Sequence, residues 1–129
     1  MLFVDSNVPM YLVGEPHPNR DALEAFLRAH PDEDFVTSAE VYQEVVHRFV
    51  AIDRRPAISD CFRLLDTMVR EVYPITKEDV ERAWAVCSAQ RRLSGRDCLH
   101  IAVMERFDIR RIVTCDRDFE FWPGISCLP

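Results

Sequence analysis

Asp5 and Asp116 each stand where a short apolar run ends, after Leu2-Phe3-Val4 and after Ile112-Val113-Thr114, and Asp97 stands where a helix starts. Glu40 or Glu44, near the start of another helix, supplies a fourth carboxylate. In an open parallel sheet, ligands bind beyond the carboxyl ends of the strands, where the winding reverses. If the first and the late strand are neighbours, these acids, remote in sequence, converge in one cleft. Two ionised carboxylates about 4 Å apart repel by roughly 4 kcal/mol at an effective dielectric near 20. Three or four cannot all stay ionised without a compensating cation. An all-oxygen set, with no histidine or thiolate at metal spacing, suits Mg²⁺ or Mn²⁺. Such an ion can hold phosphate oxygens and activate a water for in-line attack.

The elements that must position these acids follow from periodicity and breakers. Leu2-Phe3-Val4 reads as a strand halted by Asp5, Asn7 and Pro9. Asn19 is placed to cap a helix carrying Leu23, Phe26 and Leu27, and Phe35-Val36 reads as a second strand. Thr37 and Glu40 have capping-box spacing ahead of a helix with Val41, Val45 and Phe49 in one row. After Arg54-Arg55-Pro56, Ser59 or Asp60 starts a helix through Phe62, Leu65 and Met68. Val72 to Ile75 is a short strand or link, and Thr76 caps a helix with Val80, Trp84 and Cys87 inward. Asp97 begins a helix carrying Leu99, Ala102 and Val103, and Ile125-Ser126-Cys127 reads as a final edge strand. This alternation predicts an α/β fold: a parallel sheet with helices on both faces and right-handed crossovers.

The 129 residues, 48% hydrophobic and 29% charged, suit one domain over 1–129 with a real core. The apolar share is too high for disorder and too often broken by charge for a membrane span. An acid at the fifth position leaves no signal-peptide apolar region, so the expectation is a soluble, cytoplasmic protein. Five cysteines without a CxxC pair read as reduced, mostly buried thiols. Cys98-Leu99-His100 lacks the second ligand pair of a zinc site. Only three glycines exclude a glycine-rich phosphate loop. All the basic residues but Lys77 are arginine, which suits phosphate, although genomic base composition produces the same bias. With a net charge of −6, any nucleic-acid contact must be local.

Each acid also has an ordinary role open to it. Asp5 can end a strand, Glu40 can cap with Thr37, and Glu44 can pair with Arg48 one turn on. Asp97 can favour the helix dipole, and Asp116 and Asp118 can cap the turn after their strand. Those roles leave the shared location unexplained. His17, His30, His47 and His100 show no partner for a nucleophilic triad, and no serine sits in a G-x-S-x-G elbow. Trp84 and Trp122 read as core or rim packing.

Four blocks resemble, in order, those of PIN-domain ribonucleases. They are Phe3-Val4-Asp5-Ser6-Asn7, then Thr37-Ser38 with Val41-Tyr42-Gln43-Glu44-Val45, then Asp97-Cys98-Leu99-His100-Ile101-Ala102, then Thr114-Cys115-Asp116-Arg117-Asp118-Phe119. Order, spacing and length are similar to the single-domain toxins of VapC type. The resemblance implies a three-layer α/β/α sandwich with four or five parallel strands. It also implies a Mg²⁺- or Mn²⁺-dependent endoribonuclease, usually a homodimer, that is the toxin of a toxin–antitoxin pair. Such toxins are held inactive by a small antitoxin whose tail fills the cleft, often with an arginine among the acids. Position by position, Asp5, Glu44, Asp97 and Asp116 would form the acidic set, with the metal on Asp5, Asp97 and Asp116. Ser6, Asn7 and Thr114 would support it, with Asp118 as an additional acid. Glu44 is preferred to Glu40 because its Gln-Glu-Val context fits the family block.

RNA phosphodiester cleavage is therefore the leading function, with Arg91, Arg92, Arg96 and Arg117 as candidate RNA contacts or, equally, a solvated charge run. A phosphoacceptor signalling domain would also gather acids and Mg²⁺. It would want paired acids near the first strand and a lysine after a late one, whereas Lys77 begins a helix. A catalytically silent protein-binding module is the third reading, and the presence of all the acids counts against it.

Overall fold

The computed structural model describes residues 1–129 and is built on a five-stranded, all-parallel sheet. Its central strand is β1 (Leu2–Val4); β2 (Phe35–Ser38) and then β3 (Glu71–Tyr73) lie to one side, β4 (Arg111–Val113) and then β5 (Ser126–Leu128) to the other. The connections hold α1 (Asn7–Leu12), α2 (Pro18–Ala29), α3 (Ala39–Ala51), α4 (Pro56–Met68), α5 (Lys77–Ala89) and α6 (Gly95–Arg106). A 3-10 turn (Arg117–Phe121) precedes β5. Because the strand order runs outward from β1 in both directions, right-handed crossovers put α1 to α4 on one face and α5 and α6 on the other. The packing agrees: α1 meets α2 and α4, α3 meets α4, and α5 lies along α6. The expected α/β/α sandwich is formed.

The central strands, short as they are, hold because their apolar residues meet water on neither face, whereas the edge strand β3 is exposed. Leu2, Phe3, Val4, Val36, Ile112 and Val113 are all buried, so the runs are continuously apolar rather than alternating. Register then aims the site. Val4 is paired with Val113, and Asp5 continues that ladder by donating its N–H to the Val113 carbonyl at 3.1 Å. The winding reverses between β1 and β4, so the crevice opens where Asp5 leaves one strand and Thr114 the other.

Several local expectations are corrected. The cap of α2 is His17, not Asn19: its Nδ1 accepts the Asn19 N–H at 3.0 Å, and Pro18 takes the first helical position. Pro56, not Ser59 or Asp60, starts α4 for the same reason, since a missing N–H is free there. Thr37 closes no capping box, because its hydroxyl donates to the Val4 carbonyl at 2.8 Å and ties β2 to β1. Ser94 caps α6, and Asp97 sits in its first turn rather than at its start.

Thr76 and Asp79 do form the capping box of α5, yet its inward face is Asp79, Ala83 and Val86. Val80 is 53% exposed and Trp84 76% exposed, against the expectation that both point inward; Cys87 is half-buried. The small Ala83 lets α5 lie close along α6, and Asp79 is accommodated by Arg106 Nη1 at 2.8 Å. The five cysteines form no disulfide, and no helix is long and apolar enough to cross a membrane.

Candidate metal centre

Asp5 is buried at the end of β1 with both oxygens engaged. Oδ1 accepts the Ser6 N–H at 2.7 Å, and Oδ2 accepts the Thr114 hydroxyl at 2.7 Å and Asn7 Nδ2 at 3.3 Å. Thr114 also accepts from Asn7 Nδ2 at 3.1 Å and from the Asp116 N–H at 3.0 Å. Asn7 Oδ1 in turn accepts the Cys115 N–H at 3.2 Å. Ser6, Asn7 and Thr114 thus lock Asp5 to the loop that carries Asp116.

Glu44 is only 8% exposed and is no surface partner of Arg48. Its Oε2 accepts the Ser6 hydroxyl at 2.6 Å, and its Oε1 lies 2.6 Å from Nε2 of His100. It faces inward because it shares the α3 face with Val41 and Val45. Burial disfavours its charge, but the bonds from His100 and Ser6 outweigh that and hold its pKa below the ordinary value. Glu40, its rival, makes no such bond; burial, with Glu44 nearby, raises its pKa.

His100 is the residue sequence reasoning missed. It is wholly buried, 3.8 Å from Asp5 Oδ1, and one donor atom each from Asp5, Glu44 and His100 lies within 4.8 Å of the others. The set near Asp5 is therefore not all-oxygen. Its signal was position: three residues after Asp97, His100 falls on the same side of α6. Burial lowers its pKa, but Glu44, Asp5 and Asp97 together carry it above the ordinary value.

Asp97 and Asp116 are half-buried at the mouth of the crevice. Burial pushes the Asp97 carboxyl up to about 7, with Asp5 and Asp116 adding to the rise and His100 opposing it. Asp5 is likewise raised, by burial first and by Glu44, against His100 and the Thr114 bond. The four acids expected to converge do so. Asp116 keeps its ordinary role too, since its Oδ1 caps the 3-10 turn through the Asp118 N–H at 2.9 Å. Asp118 is exposed and meets the site only through that backbone group.

Acids packed at this density fit a hard divalent cation. Burial and mutual repulsion already push Asp5 and Asp97 toward their neutral forms, and carboxylate oxygens are the donors such an ion takes. The arginines divide. Arg91 and Arg96 are exposed and form no salt bridge, and the Arg96 charge reaches Glu44 and Glu40. Arg92 lies over the Phe121 ring at 4.7 Å. Arg117 is drawn away, bonding Glu120 and the carbonyls of Cys127 and Pro129.

A PIN-domain family model matches residues 2–121, and the chain belongs to that family. Its relatives include VapC ribonuclease Mb1869c of Mycobacterium bovis and ribonuclease VapC13 of Mycobacterium tuberculosis. Each is 47% identical over 130 residues, covering 99% of this chain and 99% of the relative. Ribonuclease VapC23 of M. tuberculosis is 36% identical over 119 residues, 90% of this chain and 93% of its own. Among solved structures, VapC20 of M. tuberculosis, a sarcin–ricin-loop-cleaving toxin, matches with a TM-score of 0.81 at 22% identity over 100% of both chains. A toxin–antitoxin complex from Klebsiella pneumoniae gives 0.70 at 17% identity, over 98% of this chain and 96% of that one.

Proposed function

We propose that this chain is a divalent-metal-dependent endoribonuclease, the toxin of a type II toxin–antitoxin pair, acting in the cytoplasm as one PIN-like domain over residues 1–129. The observation that carries the chemistry is the convergence of Asp5, Glu44, Asp97 and Asp116 at the β1/β4 crevice, where burial and neighbouring charge raise the Asp97 carboxyl to about 7. Asp5, Asp97 and Asp116 would hold Mg²⁺ or Mn²⁺. When bound there, such an ion offsets phosphate charge and lowers the pKa of water for attack on phosphorus.

This chain's residues supply the remainder. Ser6, Asn7 and Thr114 fix the Asp5 oxygens, so the site is preorganised rather than assembled by substrate. Glu44 keeps a negative charge beside Asp5. Arg96, whose charge reaches Glu44, and Arg91, both exposed and free of ion pairs, would hold the RNA backbone; Arg117 is committed elsewhere. Lys77 pairs with Glu81 at 2.8 Å on α5, which leaves a phosphoacceptor mechanism without its lysine after a late strand.

A groove of about 910 Å³ opens beside Asn7 between α1, α3 and α4. Apolar Tyr11, Phe49 and Ile52 alternate there with Arg48, Arg54 and Asp53. Mixed charge over an apolar floor suits a peptide better than a polyanion, so we assign this groove to the antitoxin. The exposed Trp84 and Val80 of α5 offer a second copy an apolar contact for a homodimer.

The purified protein, incubated with structured RNA, should cut it in Mg²⁺ or Mn²⁺ and stop in EDTA. Cleavage that survives EDTA would overturn the reading.

A further inference from the structure

His100 is the one non-carboxylate side chain among the buried acids, and its surroundings say what it does. The ring is fully buried, with Phe3 at 5.4 Å and Phe119 at 6.3 Å between ring centroids. Its Nδ1 has no hydrogen-bond partner. Its one short polar contact is Nε2 to Glu44 Oε1 at 2.6 Å. A histidine kept only to fill the core would leave half its hydrogen-bonding capacity unmet at a penalty that an apolar side chain avoids. What the ring supplies in return is spent on the site. The carboxylate accepts, so Nε2 donates, and it does so whether the ring is neutral or protonated. Ser6 donates to the other oxygen at 2.6 Å, and Glu44 is held from both sides.

We propose that His100 is a positioning residue of the metal centre: through Nε2 it fixes Glu44 beside Asp5, and so sets the geometry with which the acids receive a divalent cation. The inference rests on the metal-dependent reading above, but its test does not need RNA cleavage. Residues that orient an acidic metal set from outside it change metal affinity about 10- to 100-fold when removed.

The side-chain amide nitrogen of glutamine reaches the place of Nε2, whereas that of asparagine reaches the place of Nδ1, which has no partner. His100→Gln should therefore bind Mn²⁺ by calorimetry within about threefold of the wild type. His100→Asn should bind about 10- to 100-fold more weakly, with kcat falling alike and KM for RNA little changed. In a Glu44→Ala background the two substitutions should no longer differ. Equal Mn²⁺ affinity for the Gln and Asn variants, or a difference that persists without Glu44, would overturn the proposal. If His100→Asn does not fold, Ser6→Ala tests the same clamp from the other oxygen: about tenfold weaker Mn²⁺ binding supports it, and wild-type binding overturns it. If the wild type cuts no RNA while Mn²⁺ affinity follows the predicted order, the positioning role stands and the ribonuclease reading falls.

Discussion

The Thr114 hydroxyl lies 2.7 Å from Asp5 Oδ2, joining residues 109 positions apart in the chain. That bond exists because β1 and β4 are neighbours whose register places the residue after each strand side by side. The same hydroxyl accepts the Asp116 N–H, so one side chain orients two acids of the site.

Replacing Thr114 by valine should therefore act on both. A buried carboxylate would lose a donor and a backbone N–H its acceptor, at about 1–3 kcal/mol for groups left unpaired. Thermal unfolding should fall accordingly, and RNA cleavage should fall at least tenfold, while Thr114→Ser should restore most of each. Unchanged cleavage by a folded valine variant would show that the bond is incidental to the site.

Stability of the metal-free protein should depend on pH with a defined sign. The Asp97 carboxyl is raised by burial to about 7 from 3.8, so the folded state holds its proton more tightly than the unfolded chain does. The stability this gives is full below the unfolded value and lost as pH rises through about 7. His100, raised above 6.5 by its acidic neighbours in spite of burial, has the same sign: its contribution is present below 6.5 and fades as pH climbs through the folded value. Melting in EDTA should thus be several degrees higher near about pH 6 than near about pH 8, and Mg²⁺ should close the gap. A metal-free Tm that climbs over that interval would contradict the repulsive pocket.

Asp97→Asn removes one charge from that pocket without taking away a carboxylate bonded like Asp5. Scanning calorimetry should find the variant equal to or more stable than the wild type near about pH 8, although it should not cut RNA. Loss of activity with collapse of the fold would mean that Asp97 is structural.

Asp79→Ala supplies the opposite pattern. It removes the buried partner of Arg106 and half of the α5 capping box, far from the crevice. Unfolding should cost about 2–4 kcal/mol less, with kcat in the folded protein unchanged. A lower kcat below the melting range would show that α5 and the site are coupled.

Much of this architecture was legible in the sequence because short, wholly apolar strands ending in acids leave little choice of arrangement. Asp5 and Asp116 were readable as strand-end acids, and the parallel sheet followed from alternation. What stayed hidden were properties of packing. Glu44 looks like a surface residue because Glu40 and Arg48 stand one turn to either side, yet it shares the inward face of α3 with Val41 and Val45, where it meets Ser6 and His100. His100 looked unattached because its partner is 56 residues away. Trp84 looked buried because it is large and apolar, but α5 buries Asp79, Ala83 and Val86 instead. Hydroxyls were ambiguous as well: Thr37 has the spacing of a cap and bonds a neighbouring strand instead.

Asp5, Asp97 and Asp116, from separate segments of the chain, would together receive a hard divalent cation. Calorimetric titration of Mn²⁺ into the folded wild type and into Asp5→Asn, Asp97→Asn and Asp116→Asn tests this most directly. Mn²⁺ should bind the wild type saturably and each variant at least tenfold more weakly. Equal Mn²⁺ affinity in all the proteins would contradict it.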